Sequence, residues 1–447
     1  MAGHLAVSLL SGKAVVGRVV ELPHVERRLL PVPGCRCGAG ATPSRALDRA
    51  FEAVPVETAA DRMEAAIDDR LGLVAEVGEA YSFPAPYYLA TLCDTTAFAD
   101  AEAGPQAAGV DADWTPALVK AVGEALERYG AGVYRASSFE VAAAEALDDA
   151  VPPSAFVLSP NYDDPDPTER LRWVPGESLH DGLPVSLPAE FVVFPPPARR
   201  HVPSITTGLG LGSSGVGALL SGLYEVVERD ATMLAWYSTF EPLGLDLEDA
   251  AYDELARRAR AEGLEISPLL VTQDVDVPVV SVAVHCEGDW PRFAVGSAAD
   301  LDASVAARSA LAEALQNWME LRAMGPEGAA EDPSAIAEYA DFPGAARTFV
   351  DVDATVDADG LGPAEGPTGA TELEALLERL DAVGLEAFAT RLTPRDVEQL
   401  DLEVVRVLVP GAQPLFTGEP FFGERARTVP HELGFEPRLD RPTHPYP

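Results

Sequence analysis

Two glutamates and an arginine lie within an apolar stretch, residues 217–238, that has the pattern of a helix. At about 3.6 residues per turn its apolar residues go almost all the way round, which predicts a helix buried on most sides. Glu225 and Glu228 share one stripe of this helix, with Arg229 beside them. Buried carboxylates must be paired, hydrogen-bonded or bound to a metal. The stripe therefore fits either an Arg229–Glu225 ion pair or a site for a divalent cation or nucleotide.

The same acidic spacing recurs in two other segments rich in Ala and Leu. Its members are Glu124, Glu127 and Arg128 in residues 116–129, and Glu313 with the amide Gln316 in residues 304–319. Hard cations such as Mg²⁺ prefer oxygen ligands from several carboxylates together with substrate phosphates. Three helices with this spacing predict side chains that converge on one centre.

The composition limits the classes of partner. The 447-residue chain has a formal net charge of −40, and its only lysines are Lys13 and Lys120. An acidic surface with almost no lysine indicates a halophilic protein, because a high-salt cytoplasm screens the self-repulsion. Nucleic acids and anionic membranes are poor partners for such a charge. No apolar run approaches the ~18 residues of a membrane span, so we expect a soluble, cytoplasmic protein.

The chain divides into two predicted regions. Residues 1–80 are expected to form a separate N-terminal region for docking a partner or substrate, and residues 81–447 the catalytic domain. In the first region, Cys35 and Cys37 fit half of a zinc site, but no second Cys or His pair lies nearby. In the second, residues 189–194 are predicted as a strand.

A glycine-rich loop, residues 204–217, leads directly into the acidic helix predicted at residues 217–238. Glycines let the backbone approach a ligand closely, and amides at a helix N-terminus attract phosphate. The loop lacks the Gly-Lys-Ser/Thr ending of a Walker A motif. It therefore fits either a phosphate contact or a plain entry into the helix.

An internal repeat predicts the fold class. Residues 255–284 and 376–409 each follow the order helix, glycine, strand, turn and strand. The simplest arrangement is an α+β, pseudo-symmetric fold in which mixed sheets pack on helices and enclose the acidic helices.

With these motifs in view, residues 85–447 resemble the YcaO superfamily, and most closely its azoline-forming cyclodehydratases. The matching segments are residues 109–128, 206–230, 306–316 and 404–416, together with the proline-rich end at residues 442–447. The resemblance implies a YcaO-like fold with its ATP site between the buried acidic helices. It also implies activation of a peptide amide oxygen by phosphorylation, followed by ring closure to an azoline or by sulfide attack to a thioamide.

Carried onto this chain, the resemblance assigns roles to specific residues. It implies Mg²⁺–phosphate ligands at Glu124, Glu127, Glu225 and Glu228. Arg229 becomes a phosphate clamp, with Glu313, Gln316 and Ser213 in the nucleotide site. The carboxylate of Pro447 would reach the active site and assist proton transfer.

The chain departs from the family pattern at several nucleotide contacts. The family lysine is replaced by Val110, a following serine by Lys120, an asparagine pair by Thr207 and Ser213, and an acidic residue by Gly217. We hypothesise that Lys120 supplies the phosphate charge lost at position 110. The alternative is an i, i+4 ion pair between Lys120 and Glu124.

Three functional interpretations follow from these observations. The first is an ATP-using peptide cyclodehydratase or thioamide synthase, supported by the retained glutamates and Arg229. The second is a docking subunit whose ATP site has decayed, and the third an unrelated acidic structural protein. The resemblance further implies a peptide or protein substrate, a leader-binding or sulfur-delivery partner protein, and a homodimer.

Overall fold

A computed structural model describes residues 3, 6–7, 10–11, 17–21, 25–34, 44–332, 334–362 and 366–447. Cys35 and Cys37 lie outside the described residues, so the possible zinc ligands stay a prediction. The strands are β1 Arg18–Glu21, β2 Val25–Arg28, β3 Val74–Tyr81, β4 Tyr87–Leu92, β5 Gln106–Val110, β6 Glu140–Ala143, β7 Arg170–Ser178, β8 Pro184–Pro188, β9 Leu209–Gly212, β10 Leu243–Asp246, β11 Glu265–Leu270, β12 Val279–His285, β13 Phe293–Ala299, β14 Thr355–Asp357, β15 Phe388–Arg391 and β16 Glu403–Leu408.

The helices alternate with these strands along the chain. They are α1 Val56–Glu64, α2 Trp114–Gly132, α3 Ala189–Val192, α4 Gly215–Trp236, α5 Ala250–Ala261, α6 Ala303–Ala329, α7 Ala335–Tyr339, α8 Gly344–Val350, α9 Ala370–Ala382, α10 Arg395–Glu398 and α11 Arg425–Glu432. The long helix α6 is interrupted at Gly325, whose φ is 73°. Across the described ranges, no helix is both long and apolar enough to cross a bilayer.

Three sheets pack on the long helices. One has the order β3-β4-β5, the second β13-β12-β11-β10-β14, and the third β6-β7-β15-β16-β9 with β8 added beside β7. Pairing between these strands is antiparallel except between β10 and β14, so the second sheet is mixed and the other two are antiparallel. The helix α4 is buried along most of its length and packs on both β16 and β13. This arrangement is the predicted α+β architecture of sheets packed on helices, although only one of the three sheets is mixed.

The internal repeat corresponds to two similar helix–sheet units. The first runs α5, β11, β12 and the second α9, β15, β16. Each helix ends near a glycine with positive φ, Gly263 at 80° and Gly384 at 74°. Glycine adopts this conformation without a steric penalty and commonly ends helices. The repeat in the sequence therefore reflects a pseudo-symmetric pair of structural units.

Two sequence-based assignments need comment. Residues 189–192 of the predicted strand form one turn of helix, α3, instead, and residues 193–194 are irregular. Glu190 in this turn accepts hydrogen bonds from the backbone amides of Arg200, His201 and Val202. These contacts hold the turn from ten or more residues away in sequence. The predicted boundary between residues 80 and 81 lies inside β3, which pairs with β4. The division into two domains stays a prediction.

Candidate active site

Three strand–helix pairs, β5–α2, β9–α4 and β13–α6, position the acidic side chains. A glycine in each strand lies against the helix that follows: an added Cβ would stand 2.2 Å from the Ala121 nitrogen at Gly109, 2.2 Å from the Ala218 oxygen at Gly210, and 2.5 Å from the Ala310 oxygen at Gly296. No side chain larger than hydrogen fits these contacts. The close approach brings each helix within hydrogen-bond distance of its own strand.

One glutamate from each helix accepts a hydrogen bond from a backbone amide in, or next to, the preceding strand. The pairs are Ala108 N to Glu124 Oε2 at 2.7 Å, Gly208 N to Glu225 Oε2 at 2.9 Å, and Ser297 N to Glu313 Oε2 at 2.7 Å. The partners are separated by 16, 17 and 16 residues. This repeated bond fixes the direction of all three carboxylates.

The arginines of the motif partner the remaining oxygens. Arg229 Nε donates to Glu225 Oε1 at 3.2 Å, so the i, i+4 ion pair considered as one of two alternatives is present. Arg128 pairs in the same way with Glu124. Glu228 instead accepts a hydrogen bond from Ser297 Oγ at 2.7 Å, which links α4 to β13. The ion pairs do not exclude a ligand site, since two of the four motif glutamates have no arginine partner at these positions.

Electrostatics show that the carboxylates of the different helices lie close together. Burial, then the charges of Glu225 and Glu124, raise the pKa of Glu127 to about 8. Burial and the charge of Glu313 raise the pKa of Glu228 to about 8, against the opposing effect of Arg229. A cation favours the ionised form of such carboxyl groups, so the cluster is suited to bind one.

The side chains line an accessible cleft rather than a sealed core. The exposed fractions of the Glu124, Glu225 and Arg229 side chains are 34%, 25% and 18%. A polar ligand can therefore reach these side chains, although partial burial still disfavours the ionised form of a carboxyl group. The sequence predicts that the acidic helices converge, and glutamates on separate outer surfaces would have refuted this prediction. The observed positions agree with convergence.

Protein side chains alone do not form a closed metal cage here. Within the described part of the chain, no three His, Cys, Asp or Glu side chains are placed to hold an ion together. Mg²⁺ usually keeps several waters and binds through one or two carboxylates plus substrate phosphates. The donor set fits a magnesium ion that arrives with a nucleotide, and the individual ligands stay a prediction.

One predicted nucleotide residue, Lys120, has a partner that sequence spacing did not suggest. Lys120 Nζ pairs with Asp111 Oδ2 at 2.7 Å, so the expected pair with Glu124 does not form. The positive charge of Lys120 nevertheless lowers the pKa of Glu313, which places it near the cluster, although burial dominates and leaves that pKa raised. The Lys120 side chain is 44% exposed, so a polar ligand can reach it.

The glycine-rich loop enters α4 without leaving its first amides free. Ser214 Oγ accepts a hydrogen bond from Gly217 N, and Ala50 O accepts one from Val216 N at 3.2 Å. Chain residues therefore occupy part of the helix N-terminus where phosphate binding was considered. Ser213 lies in the turn just before the helix and stays a predicted contact.

The C-terminal tail runs into the same cleft. Arg229 Nη1 donates to an oxygen of Pro447 at 3.3 Å. The tail is held by hydrogen bonds from Trp236 Nε1 to Pro442 O and between Tyr446 Oη and Ser281 Oγ, at 3.1 and 2.9 Å. Tyr446 is 1% exposed, whereas Pro447 is exposed. A buried anchor thus holds Pro447 beside Arg229. The proton-transfer role that the resemblance implies for its carboxylate stays a prediction.

An apolar cavity adjoins the cluster on the side of Arg229. Its walls include Phe156, Val226 and Leu415, and Arg229 and Arg406 also line it. Burial lowers the pKa of the Arg406 guanidinium to about 10, while Glu225 and Glu127 act in the opposite direction. The cavity combines space for an apolar group with positive charge beside the carboxylates.

Sequence reasoning missed three residues of this site. Ser297 donates to Glu228, Arg406 lies beside Glu225 and Glu127, and Glu320 adds a second carboxylate to α6 near Glu124. Of these three residues, only Glu320 could have been recognised from the sequence, because it continues the stripe of Glu313 and Gln316 by one more helical turn. The other two lie on strands whose neighbours the local sequence does not specify.

Residues 108–413 match the family described as YcaO cyclodehydratase, ATP- and Mg²⁺-binding. The chain belongs to the YcaO family. The match spans the three acidic helices, confirms the resemblance and the cofactors ATP and Mg²⁺, and excludes an unrelated structural protein. The YcaO chain is 30% identical over 339 residues to an uncharacterised protein of Methanothermobacter thermautotrophicus, covering 72% of this chain and 85% of the relative.

Solved structures confirm the YcaO fold. A heterocyclase in complex with substrate and cofactor superposes with a TM-score of 0.79 at 20% identity, over 98% of this chain. This chain spans only 65% of the length of that heterocyclase. The YcaO protein from Methanopyrus kandleri, bound with AMPPCP and Mg²⁺, gives a TM-score of 0.62 at 24% identity over 82% of this chain and 93% of its own.

Proposed function

We propose that this protein activates a backbone amide of a peptide or protein by ATP-dependent phosphorylation, giving an azoline ring. The observation that carries the proposal is the convergence of three helices, each with a glutamate fixed by the amide of its own strand, on a cleft that the C-terminal carboxylate also enters. A docking subunit with a decayed site would need neither the buried carboxylates nor the anchored tail.

ATP, when bound with Mg²⁺, supplies the phosphoryl group that turns the amide oxygen into a leaving group. Glu124, Glu127, Glu225 and Glu228 hold the cation with the phosphates, and Arg229 balances their charge. The apolar cavity beside Arg406 receives an apolar part of the peptide next to the reacting amide. Binding on these fixed elements aligns the amide oxygen for in-line attack.

The Cys, Ser or Thr side chain of the substrate loses its proton as it bonds to the amide carbon. The amide oxygen takes the γ-phosphoryl group, leaving ADP, and then departs as phosphate with the electrons of the C–O bond. The amide nitrogen loses its proton and forms the C=N bond. We assign the acceptance of these protons to the Pro447 carboxylate, a role supported by the hydrogen bond from Arg229 to Pro447.

Synthetic peptides containing Cys, Ser or Thr, with a heavy-oxygen label on the amide, test this proposal. The expected result is ATP-dependent loss of one water from the peptide and appearance of the label in inorganic phosphate. Exchange of the oxygen for sulfur, seen only when sulfide is added, would instead indicate the thioamide reaction. No nucleotide binding in molar salt would favour the docking subunit. The leader-binding or sulfur-delivery partner, the homodimer and the cytoplasmic location stay predictions.

Binding of AMPPCP with Mg²⁺ is expected to release protons. The raised pKa values of Glu127 and Glu228 keep both carboxyls mostly protonated at neutral pH, and a cation favours their ionised forms. Calorimetric titrations at pH 7 in two buffers of different ionisation enthalpy should give roughly one to two protons released. Glu127→Gln should remove about one of them. An unchanged release in that variant would contradict the assignment.

Replacing Lys120 by alanine is expected to weaken AMPPCP binding about tenfold, since one positive charge near the phosphates is lost. Titration calorimetry measures the effect. Asp111→Asn is the matched control, because it breaks the 2.7 Å pair but keeps the lysine charge, and should leave affinity unchanged or higher. Equal losses in both variants would show that Lys120 serves only its pair with Asp111.

A further inference from the structure

The helix α6 presents three polar side chains to the cleft, and the outer two face different neighbours. Glu313 accepts the Ser297 amide and raises the pKa of Glu228. Glu320, seven residues later, accepts a hydrogen bond from Tyr87 on β4, and its charge raises the pKa of Glu124. Gln316 lies between them on the same stripe. Gln316 therefore lies between Glu313, which is near Glu228, and Glu320, which is near Glu124.

The orientation of the Gln316 amide is set by Glu320. Gln316 Nε2 donates to Glu320 Oε1 at 3.0 Å, and Tyr87 Oη donates to the same oxygen at 2.7 Å. An ionised carboxylate can only accept hydrogen bonds, so the nitrogen end of the amide must face Glu320. The carbonyl oxygen, on the other arm of the amide, is then not the atom that contacts Glu320.

The phenol of Tyr87 reinforces this arrangement. Its side chain is buried, with 4% of the residue exposed. Burial, together with the charge of Glu320, raises the pKa of the phenol, so it stays protonated and donates. Glu320 Oε1 is thereby occupied by two donors and is a poor candidate for direct contact with a cation.

We propose that Tyr87 and Glu320 form a positioning pair that holds Gln316 with its carbonyl oxygen toward the cleft, as a neutral ligand for the nucleotide-bound Mg²⁺. The inference rests on the proposed function, which supplies the cation. A neutral amide provides an oxygen ligand without adding a further negative charge to the glutamate cluster. A simple tie between β4 and α6 needs only the Tyr87–Glu320 bond, and it does not account for the second bond, which Gln316 Nε2 donates to the same oxygen.

The variant Glu320→Gln tests the pair, because a second amide can donate to Gln316 and allow its reversal. Mg²⁺ and Mn²⁺ are titrated by calorimetry at a fixed concentration of AMPPCP. The apparent metal affinity is expected to fall about 10- to 100-fold, the usual effect of removing a group that orients a ligand. Binding of AMPPCP in EDTA and the melting temperature should change little. Glu327→Gln, an exposed site on the same helix, is the matched control.

A double-mutant cycle with Gln316→Leu separates positioning from general damage. Once Gln316 is replaced, Glu320→Gln should cause no further loss of metal affinity, and Tyr87→Phe alone should cause a smaller loss than Glu320→Gln. Wild-type metal affinity in Glu320→Gln, or the full loss in the Gln316→Leu background, would overturn the positioning role alone. Absence of metal-dependent AMPPCP binding by the wild-type protein would overturn the proposed function instead.

Discussion

The variant Glu228→Gln is expected to lose turnover by about 10²- to 10³-fold, the scale found when one electrostatic contact to the reacting groups is removed. The amide keeps an oxygen to accept the Ser297 hydroxyl, so the link between α4 and β13 survives. Only the negative charge is lost, and with it a cation–phosphate contact. Phosphate release from ATP and calorimetric binding of AMPPCP with Mg²⁺ measure the change.

The same variant should be more stable than the wild-type protein without ligand at pH 8. Burial raises the pKa of Glu228 to about 8 from its ordinary value of 4.5, so the folded state holds more protons than the unfolded state between these values. Its stability therefore falls as pH rises through that window, and removing the carboxyl removes this part of the slope. Thermal melts at pH 5 and 8 test the sign. Glu241→Gln, at an exposed position, should match the wild type in both assays.

A loss of turnover with a gain in stability identifies a charge kept for function rather than for folding. Glu228→Gln with wild-type turnover and nucleotide affinity would show that its carboxylate does not contact the cation or phosphates. A large fall in melting temperature would show that Glu228 mainly stabilises the fold.

Extending the C-terminus by two residues, Gly-Ser, is expected to lower turnover by about 10²-fold or more, the contribution of a positioned acid–base group. Pro447 is exposed and leaves room for the added residues, while Tyr446 stays anchored through Ser281. The terminal carboxylate moves away from Arg229, and a neutral amide takes its place. Peptide conversion followed by mass spectrometry measures the effect.

Affinity for AMPPCP with Mg²⁺ should change little in the extended protein, because the helices that carry the glutamates are untouched. The same two residues added at the N-terminus provide the matched control and should leave turnover unchanged. Full turnover of the C-terminally extended protein would rule out the Pro447 carboxylate as the proton acceptor.

Local periodicity predicted the acidic helices well. The stripes of Glu124 and Glu127, and of Glu225 and Glu228, depend on helix geometry within a few residues, and the i, i+4 pair of Arg229 is present. The glycines that end the helices of the repeated units could be predicted for the same reason. A helix end with positive φ depends on the type of a single residue, which the sequence shows directly.

Local patterns in the amino-acid order were enough to identify the acidic helices, their charged stripes, the repeated units and, through the motifs, the family. The partners of these side chains depend instead on how the sheets and helices pack. Ser297, Arg406 and Tyr87 reach the site from strands far along the chain, and Lys120 pairs with Asp111 rather than with its helical neighbour. Helix periodicity fixes only neighbours three or four residues apart, whereas contacts between a strand and a distant helix depend on how the sheets pack.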